Sequence, residues 1–246
     1  MSSRIAAEMY ELRTRHITFD FPALDALVPD HSCILEVGSG TGRVIQHLKL
    51  KNCHIVAVEQ NADAAAILLQ RFESDSSIEV IPSDFLSIPF EHKVDVVLFS
   101  FDVFSEFNSV ESRIAALNQA SRLLRLNGSV ILFNTVVTRP SELNKEAHFE
   151  FVIGDDASGQ YDCQIACLRS ALFGVSQCSV EYRSANIENT TIVLDNFERA
   201  LLTRNELLTL FALHPELKCT EELDTMTLAP ISDTTDTIVH VLKKRT

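Results

Sequence analysis

From Cys33 to about residue 137, short apolar runs alternate with longer amphipathic ones, a rhythm that leaves a chain few ways to fold. CILEV reads as a buried strand and GRVIQHLKL as a helix; HIVAVE is the next strand and ADAAAILLQRFES the next helix. SIEVIPSD is a third strand, VDVVLFSF a fourth, SVESRIAALNQASRLLR a long helix and SVILFNTVV a fifth strand. The fourth strand is apolar on both faces, as a strand inside a parallel sheet must be. Strands that alternate with helices imply right-handed crossovers and an open parallel sheet.

The rhythm breaks after about residue 140. HFEFVIG, CQIACLRSALF, SQCSVEYRSA and TTIVLDNFERAL read as four strands with no helix between them, which means an antiparallel meander. TRNELLTLFALHP returns to helix, with Thr203 as its cap and Pro215 just past its end. KCTEELDTMTL and DTIVHVLKKR then add two strands, bringing the main sheet to seven. Ahead of everything, Ile5, Met9 and Leu12 share one helical face, and a second short helix follows Asp20. The predicted fold is α/β: a doubly wound, mostly parallel seven-stranded sheet of Rossmann-like type, with an antiparallel β insert after strand 5. The expected division is 1–140 for the N-terminal helices and core, 141–200 for the insert, as a lid or dimer platform, and 201–246 for the elements that complete the core.

Composition narrows the ligand. The formal net charge of −13 repels a polyanion, and the one basic cluster, Lys243-Lys244-Arg245, is too small to form a groove. Nucleic acid is therefore a poor substrate. No apolar run reaches the roughly 20 residues that a membrane span needs. The N-terminal MSSRIAAEMYELRTRH lacks the apolar centre of a secretion signal, so a cytoplasmic protein is expected. Cys33, Cys53, Cys163, Cys167, Cys178 and Cys219 form no C-x-x-C pair, and reduced thiols are expected. The eight histidines follow no ligand spacing, so no metal is expected.

The chain has only seven glycines, yet Gly38, Gly40 and Gly42 fall together in EVGSGTGR, where the first strand hands over to a helix. Such a turn brings backbone N–H groups toward a ligand. The spacing is G-x-G-x-G, with Arg43 where a dinucleotide fingerprint has its third glycine, and no Lys-Ser/Thr pair follows as a phosphate loop requires. Glu36, just before the glycines, disfavours a pyrophosphate and suits a cationic amine. Glu59 closes the second strand, where a carboxylate can accept both hydroxyls of a ribose. Asp84 closes the third, placed to accept from an exocyclic amine, with Phe85 as an apolar face. Taken singly, Glu59 reads as a polar strand end and Asp84 as a turn residue. Taken together, an amine site, a ribose site and an adenine site in strand order describe an adenosyl amino acid.

On these residues the chain resembles the class I S-adenosylmethionine-dependent methyltransferases, over nearly its whole length. EVGSGTGR is similar to the acid-and-glycine motif of that family, VAVEQ to the acidic end of its second strand, and SDF to the acidic position after its third. RLLRLNGSVILF is similar to a segment that usually contains Pro-Gly where this chain has Leu126-Asn127. The resemblance implies S-adenosyl-L-methionine as cofactor. Glu36 and Gly38, Gly40 and Gly42 would hold the methionine moiety, Glu59 the ribose, and Asp84 with Phe85 the adenine, with Gln60 beside them. Tyr10, with Arg13, resembles an N-terminal helix that closes over the cofactor.

The acceptor belongs outside the ends of strands 4 and 5. There Ser100 and Phe101 would border the cofactor, and Asp102 is the residue assigned to catalysis, with Glu106 as a second acid. Asp102 also reads as a loop carboxylate facing water, and Phe104 and Phe107 as pocket wall or as core. No Asn/Asp-Pro-Pro-aromatic motif and no cytosine-enzyme cysteine pair is present, which with the charge points to a small-molecule acceptor. The insert resembles the β-rich lid of small-molecule methyltransferases; Tyr161, Arg183 and Arg199 are its candidate pocket residues, and an exposed sheet makes a homodimer a candidate assembly. Two other readings stay open: a nucleotide-binding oxidoreductase, disfavoured by the glycine spacing, and a non-catalytic methyltransferase-like partner protein.

Overall fold

The computed structural model describes residues 3–88, 92–138, 146–155, 159–170, 174–184 and 191–245. The chain opens with helices α1 (Ser3–Thr14) and α2 (Phe21–Leu27). Then come β1 (Cys33–Val37), α3 (Arg43–Leu48), β2 (His54–Val58), α4 (Ala62–Phe72) and β3 (Ile78–Ile81). β4 (Val94–Phe99) leads through a 3-10 turn at Val103–Glu106 into α5 (Val110–Leu123) and β5 (Leu124–Thr135). Four strands follow: β6 (Glu146–Asp155), β7 (Gly159–Ser170), β8 (Val175–Ser184) and β9 (Thr191–Ala200). α6 (Arg204–Leu213), β10 (Leu217–Asp224) and β11 (Thr237–Lys244) finish the chain. The division drawn at 140/141 and the last three residues of CQIACLRSALF lie outside the described residues.

Seven strands form one sheet in the order β10-β11-β5-β4-β1-β2-β3. β1 to β5 pair in parallel, while β11 is antiparallel to both β5 and β10. Successive strand residues point to opposite faces, and both faces are apolar. Leu35, Val58, Val97 and Leu132 pack on one side with Leu117 of α5 and Phe211 of α6. Ile34, Ile55, Leu98 and Ile131 pack on the other with Leu24, Ile45 and Leu68 of α2, α3 and α4. Each such side chain contributes about 1.5–3 kcal/mol by leaving water. Local signals agree with this packing. Ser109 and Ser112 cap α5 reciprocally, and Thr203 and Glu206 do the same for α6. Asn127 takes φ +65° at the turn into the inner half of β5, a conformation that asparagine tolerates. No helix among the described residues is long and apolar enough to cross a membrane.

The insert is the predicted meander, a separate antiparallel sheet in the order β6-β7-β8-β9. Residues directly opposite across strands share a face. Ile153, Cys163, Val180 and Tyr182 lie on the inner face and close over Met9 of α1 as a small buried cluster. The opposite face carries Glu146, Glu150, Asp162 and Glu181 and meets water. One expectation fails here: Cys167 and Cys178 are not reduced thiols but a disulfide. The two residues oppose each other in the β7–β8 register with Cα atoms 4.1 Å apart, a proximity that only the hairpin creates.

Candidate active site

The sheet order determines where a site can form. From β3 at the edge, the chain returns to β4 on the far side of β1. The connections leaving β1 and β4 therefore diverge, and a crevice opens above their C-terminal ends. A cavity of about 640 Å³ lies there, within the usual range for a small-molecule site. Its walls come from three sources: the strand tips of the main sheet, Tyr10 and Arg13 of α1, and Asp195, Phe197 and Arg199 of β9.

The glycine turn forms the floor. Gly38 has φ +67°, and a Cβ there would sit 2.8 Å from Val103. Gly42 has φ +95° and lies behind the cavity; a Cβ there would sit 2.7 Å from both Leu68 and Phe72 of α4. Gly38 and Gly40 thus line the space, while Gly42 allows α3 to pack against α4. Arg43, at the position where the glycine pattern departs from a dinucleotide fingerprint, ties the turn to its surroundings. Its guanidinium forks onto buried Asp20 at 2.8 and 2.6 Å, bonds the Ile17 carbonyl, and lies 4.9 Å from the Phe101 ring centre.

Glu59 at the tip of β2 faces the cavity and is bound into the glycine turn. One carboxylate oxygen accepts the Gly40 N–H at 2.7 Å and the other the Asn61 N–H at 2.7 Å. Burial pushes its pKa upward against these backbone donors. Asp84 and Phe85 stand at the next tip. The Asp84 carboxylate also accepts the Leu86 N–H at 3.0 Å, so the turn-cap role and the cavity role coexist in one residue. Phe85 is buried edge-on against Phe99, and Gln60, Phe101 and Tyr10 complete this end. Tyr10 lies close above Gly40, with Arg13 over its ring at 5.2 Å.

Several expected residues sit elsewhere. Glu36 does not line the cavity; it lies beneath the glycine turn, 1% exposed. One of its oxygens accepts the Ser100 hydroxyl at 2.8 Å, and the other has no partner among the described residues. Burial pushes its pKa up to about 7. Ser100 is buried with it rather than bordering the cavity. The carboxylates therefore do not all converge on one space, because the side chain of Glu36 points into the sheet's interior while those of Glu59 and Asp84 reach the rim. Asp102, assigned to catalysis, also turns away. Its backbone takes φ +67°, and its carboxylate accepts the Thr135 N–H at 3.0 Å and meets Arg199 at 3.4 Å. Burial raises its pKa and Arg199 opposes the rise. Glu106 lines the cavity instead. Phe104 is core, and Phe107 is wall.

Of the three insert candidates, Arg199 reaches the cavity. Arg183 lies on the outer face, paired with Glu181, and Tyr161 packs beside the α1 cluster. Asp195 and Phe197 are cavity residues that sequence reasoning missed. The signal was available, since both share the odd-numbered face of β9 with Arg199.

Residues 34–128 match the methyltransferase domain family. A carboxy-S-adenosyl-L-methionine synthase from Vibrio cholerae is 27% identical over 161 residues, 61% of this chain. The match spans 63% of that relative, under two thirds of its length. Among solved structures, the CcbJ methyltransferase from Streptomyces caelestis superposes with a TM-score of 0.79 at 15% identity, covering 93% of this chain and 89% of its own. An amino pentose methyltransferase from Micromonospora echinaspora, solved with S-adenosylmethionine bound, gives 0.73 at 16% identity, covering 98% and 97%.

Proposed function

From a chain that carries a class I S-adenosylmethionine-dependent methyltransferase domain, we infer an enzyme that moves a methyl group from S-adenosyl-L-methionine to a nitrogen or oxygen of a small-molecule acceptor. One observation carries this reading: Gly38, Gly40, Glu59, Asp84 and Phe85, from three successive strand tips, face a single cavity. Their order supports the methionine end at the glycine turn, the ribose at Glu59 and the adenine between Asp84 and Phe85. Each Glu59 oxygen takes a 2.7 Å backbone bond and has further lone-pair capacity to accept a hydroxyl. The unpartnered oxygen of Glu36, under the same turn, supports a cationic amine above it.

The bound sulfonium supplies an activated methyl group, so the protein has to align the acceptor and keep water out. In this reading the main sheet holds the cofactor. The insert over 141–200 is the lid, and Tyr10 closes from α1. Asp102 acts by holding Arg199 rather than by touching the reacting atoms. The amino pentose methyltransferase supports a small polar acceptor of comparable kind.

Titration calorimetry with S-adenosylhomocysteine and with NAD tests the cofactor. The first is expected to bind at micromolar concentration and the second not at all. Glu59→Ala is expected to weaken S-adenosylhomocysteine by about 1.5–3 kcal/mol, the scale of hydrogen bonds to a charged group. Unchanged affinity removes the ribose assignment, and no binding by the unaltered protein favours a non-catalytic partner role.

A further inference from the structure

The acceptor end of the cavity holds charges that the cofactor reading leaves unused. Glu106, the last residue of the 3-10 turn after β4, presents its carboxylate to the cavity and has no hydrogen bond or ion pair with any described residue. Asp195 enters the same space from β9 and is likewise without a partner among the described residues. The cation on that side, Arg199, meets Asp102 at 3.4 Å and lies over the Phe197 ring at 4.9 Å, and its Nε has no partner among the described residues. Arg13 stacks on Tyr10, beside Gly40, and lines the same cavity. Around Phe107 and Phe197 the acids Asp102, Glu106 and Asp195 thus outnumber the cations Arg13 and Arg199.

Acids without partners in a pocket favour a cationic ligand. A neutral hydroxyl acceptor needs at most one of them, as a base, and leaves the other facing it unpaired. A protonated amine satisfies both, and Phe107 gives it an apolar wall. Resting on the methyl-transfer reading above, we propose that the acceptor enters as an ammonium held between Glu106 and Asp195, and that Glu106 takes its proton. In that step an N–H bond breaks, its electron pair remains on nitrogen as the lone pair, and the proton moves to a Glu106 carboxylate oxygen. Nitrogen is then able to act as a nucleophile. Desolvation within the cavity raises the Glu106 pKa, with Arg199 opposing, which suits a group that must receive a proton.

Sinefungin tests this without knowledge of the acceptor. It resembles the cofactor but carries an amine where the sulfonium has its methyl, and so presents an ammonium to the acceptor end. Calorimetry on the full chain at neutral pH is expected to show sinefungin binding at least about tenfold more tightly than S-adenosylhomocysteine, the scale of one charge-assisted hydrogen bond. Glu106→Gln is expected to reduce that preference to within about threefold, and Asp195→Asn to reduce it by a smaller factor, with S-adenosylhomocysteine affinity retained in both as evidence of intact folding. A preference that survives Glu106→Gln, or an unaltered protein that shows none, overturns the proposal while leaving the cofactor reading intact. If S-adenosylhomocysteine fails to bind the unaltered protein, both fall together.

Discussion

The seven-stranded sheet and the four-stranded sheet each supply part of one cavity, by different physical means. The larger sheet is apolar on both faces and sandwiched by helices, and its functional groups sit at strand tips, where the backbone itself positions them. The smaller sheet buries a single face against one helix, through Met9, Ile153, Cys163, Val180 and Tyr182, and meets water with the other. Its functional groups sit along β9, where only the parity of a residue decides whether it faces the cavity. Two side-chain links join this sheet to the core beside the cavity: Arg199 to Asp102, and Glu198 to Asn108 at 3.2 Å. A tip residue is fixed by the fold, whereas a face residue is fixed by the register.

The contrast predicts different responses to perturbation. The largest effect is expected in the core, at Glu36. Its folded pKa of about 7 lies above the model-compound value of 4.5. The stability associated with the protonated acid is therefore complete below pH 4.5 and is lost as pH rises through 7. Over that window the unaltered protein is expected to lose about 3 kcal/mol relative to Glu36→Gln, measured as the difference between two urea-unfolding series. A parallel pH dependence in the variant breaks the claim that this acid is buried and short of partners. Next in size is the disulfide. Replacing Cys167 and Cys178 by serine is expected to lower amide-exchange protection in β7 and β8 by about 2–3 kcal/mol and leave β1, β2 and β4 unchanged. Equal loss in both sheets means that they unfold as one unit. Smallest is Tyr182→Phe. The Tyr182 hydroxyl is buried with no partner among the described residues, so deleting it is expected to raise protection in the four-stranded sheet by about 1 kcal/mol. A loss instead reveals a hydrogen bond at that hydroxyl.

The same contrast explains what the sequence made legible. Alternating apolar runs identified the central strands β1, β2 and β4 most clearly, because burial on both faces leaves a dense signal. The glycine turn, Glu59 and Asp84 were readable because strand ends follow from strand lengths. Asp102 was not, because its direction depends on a positive φ that no periodicity announces. Glu36 was readable as important but not as buried, since one residue of strand separates a rim position from an interior one. In the insert, Arg183 and Arg199 look equivalent as sequence; β8 and β9 have opposite inward parity, so one faces water and the other the cavity. The disulfide was invisible for a related reason. Cysteines eleven positions apart meet only when the hairpin register places them opposite each other.

The insert leaves and rejoins the core at adjacent points: the Val137 N–H donates to the Leu202 carbonyl at 2.9 Å, just before and just after the second sheet. A segment of more than sixty residues therefore departs and returns through a doorway one hydrogen bond wide. Such a doorway makes the segment an exchangeable cartridge. Drift, truncation or wholesale substitution can rewrite its face of the cavity, while the strand tips beneath keep their geometry.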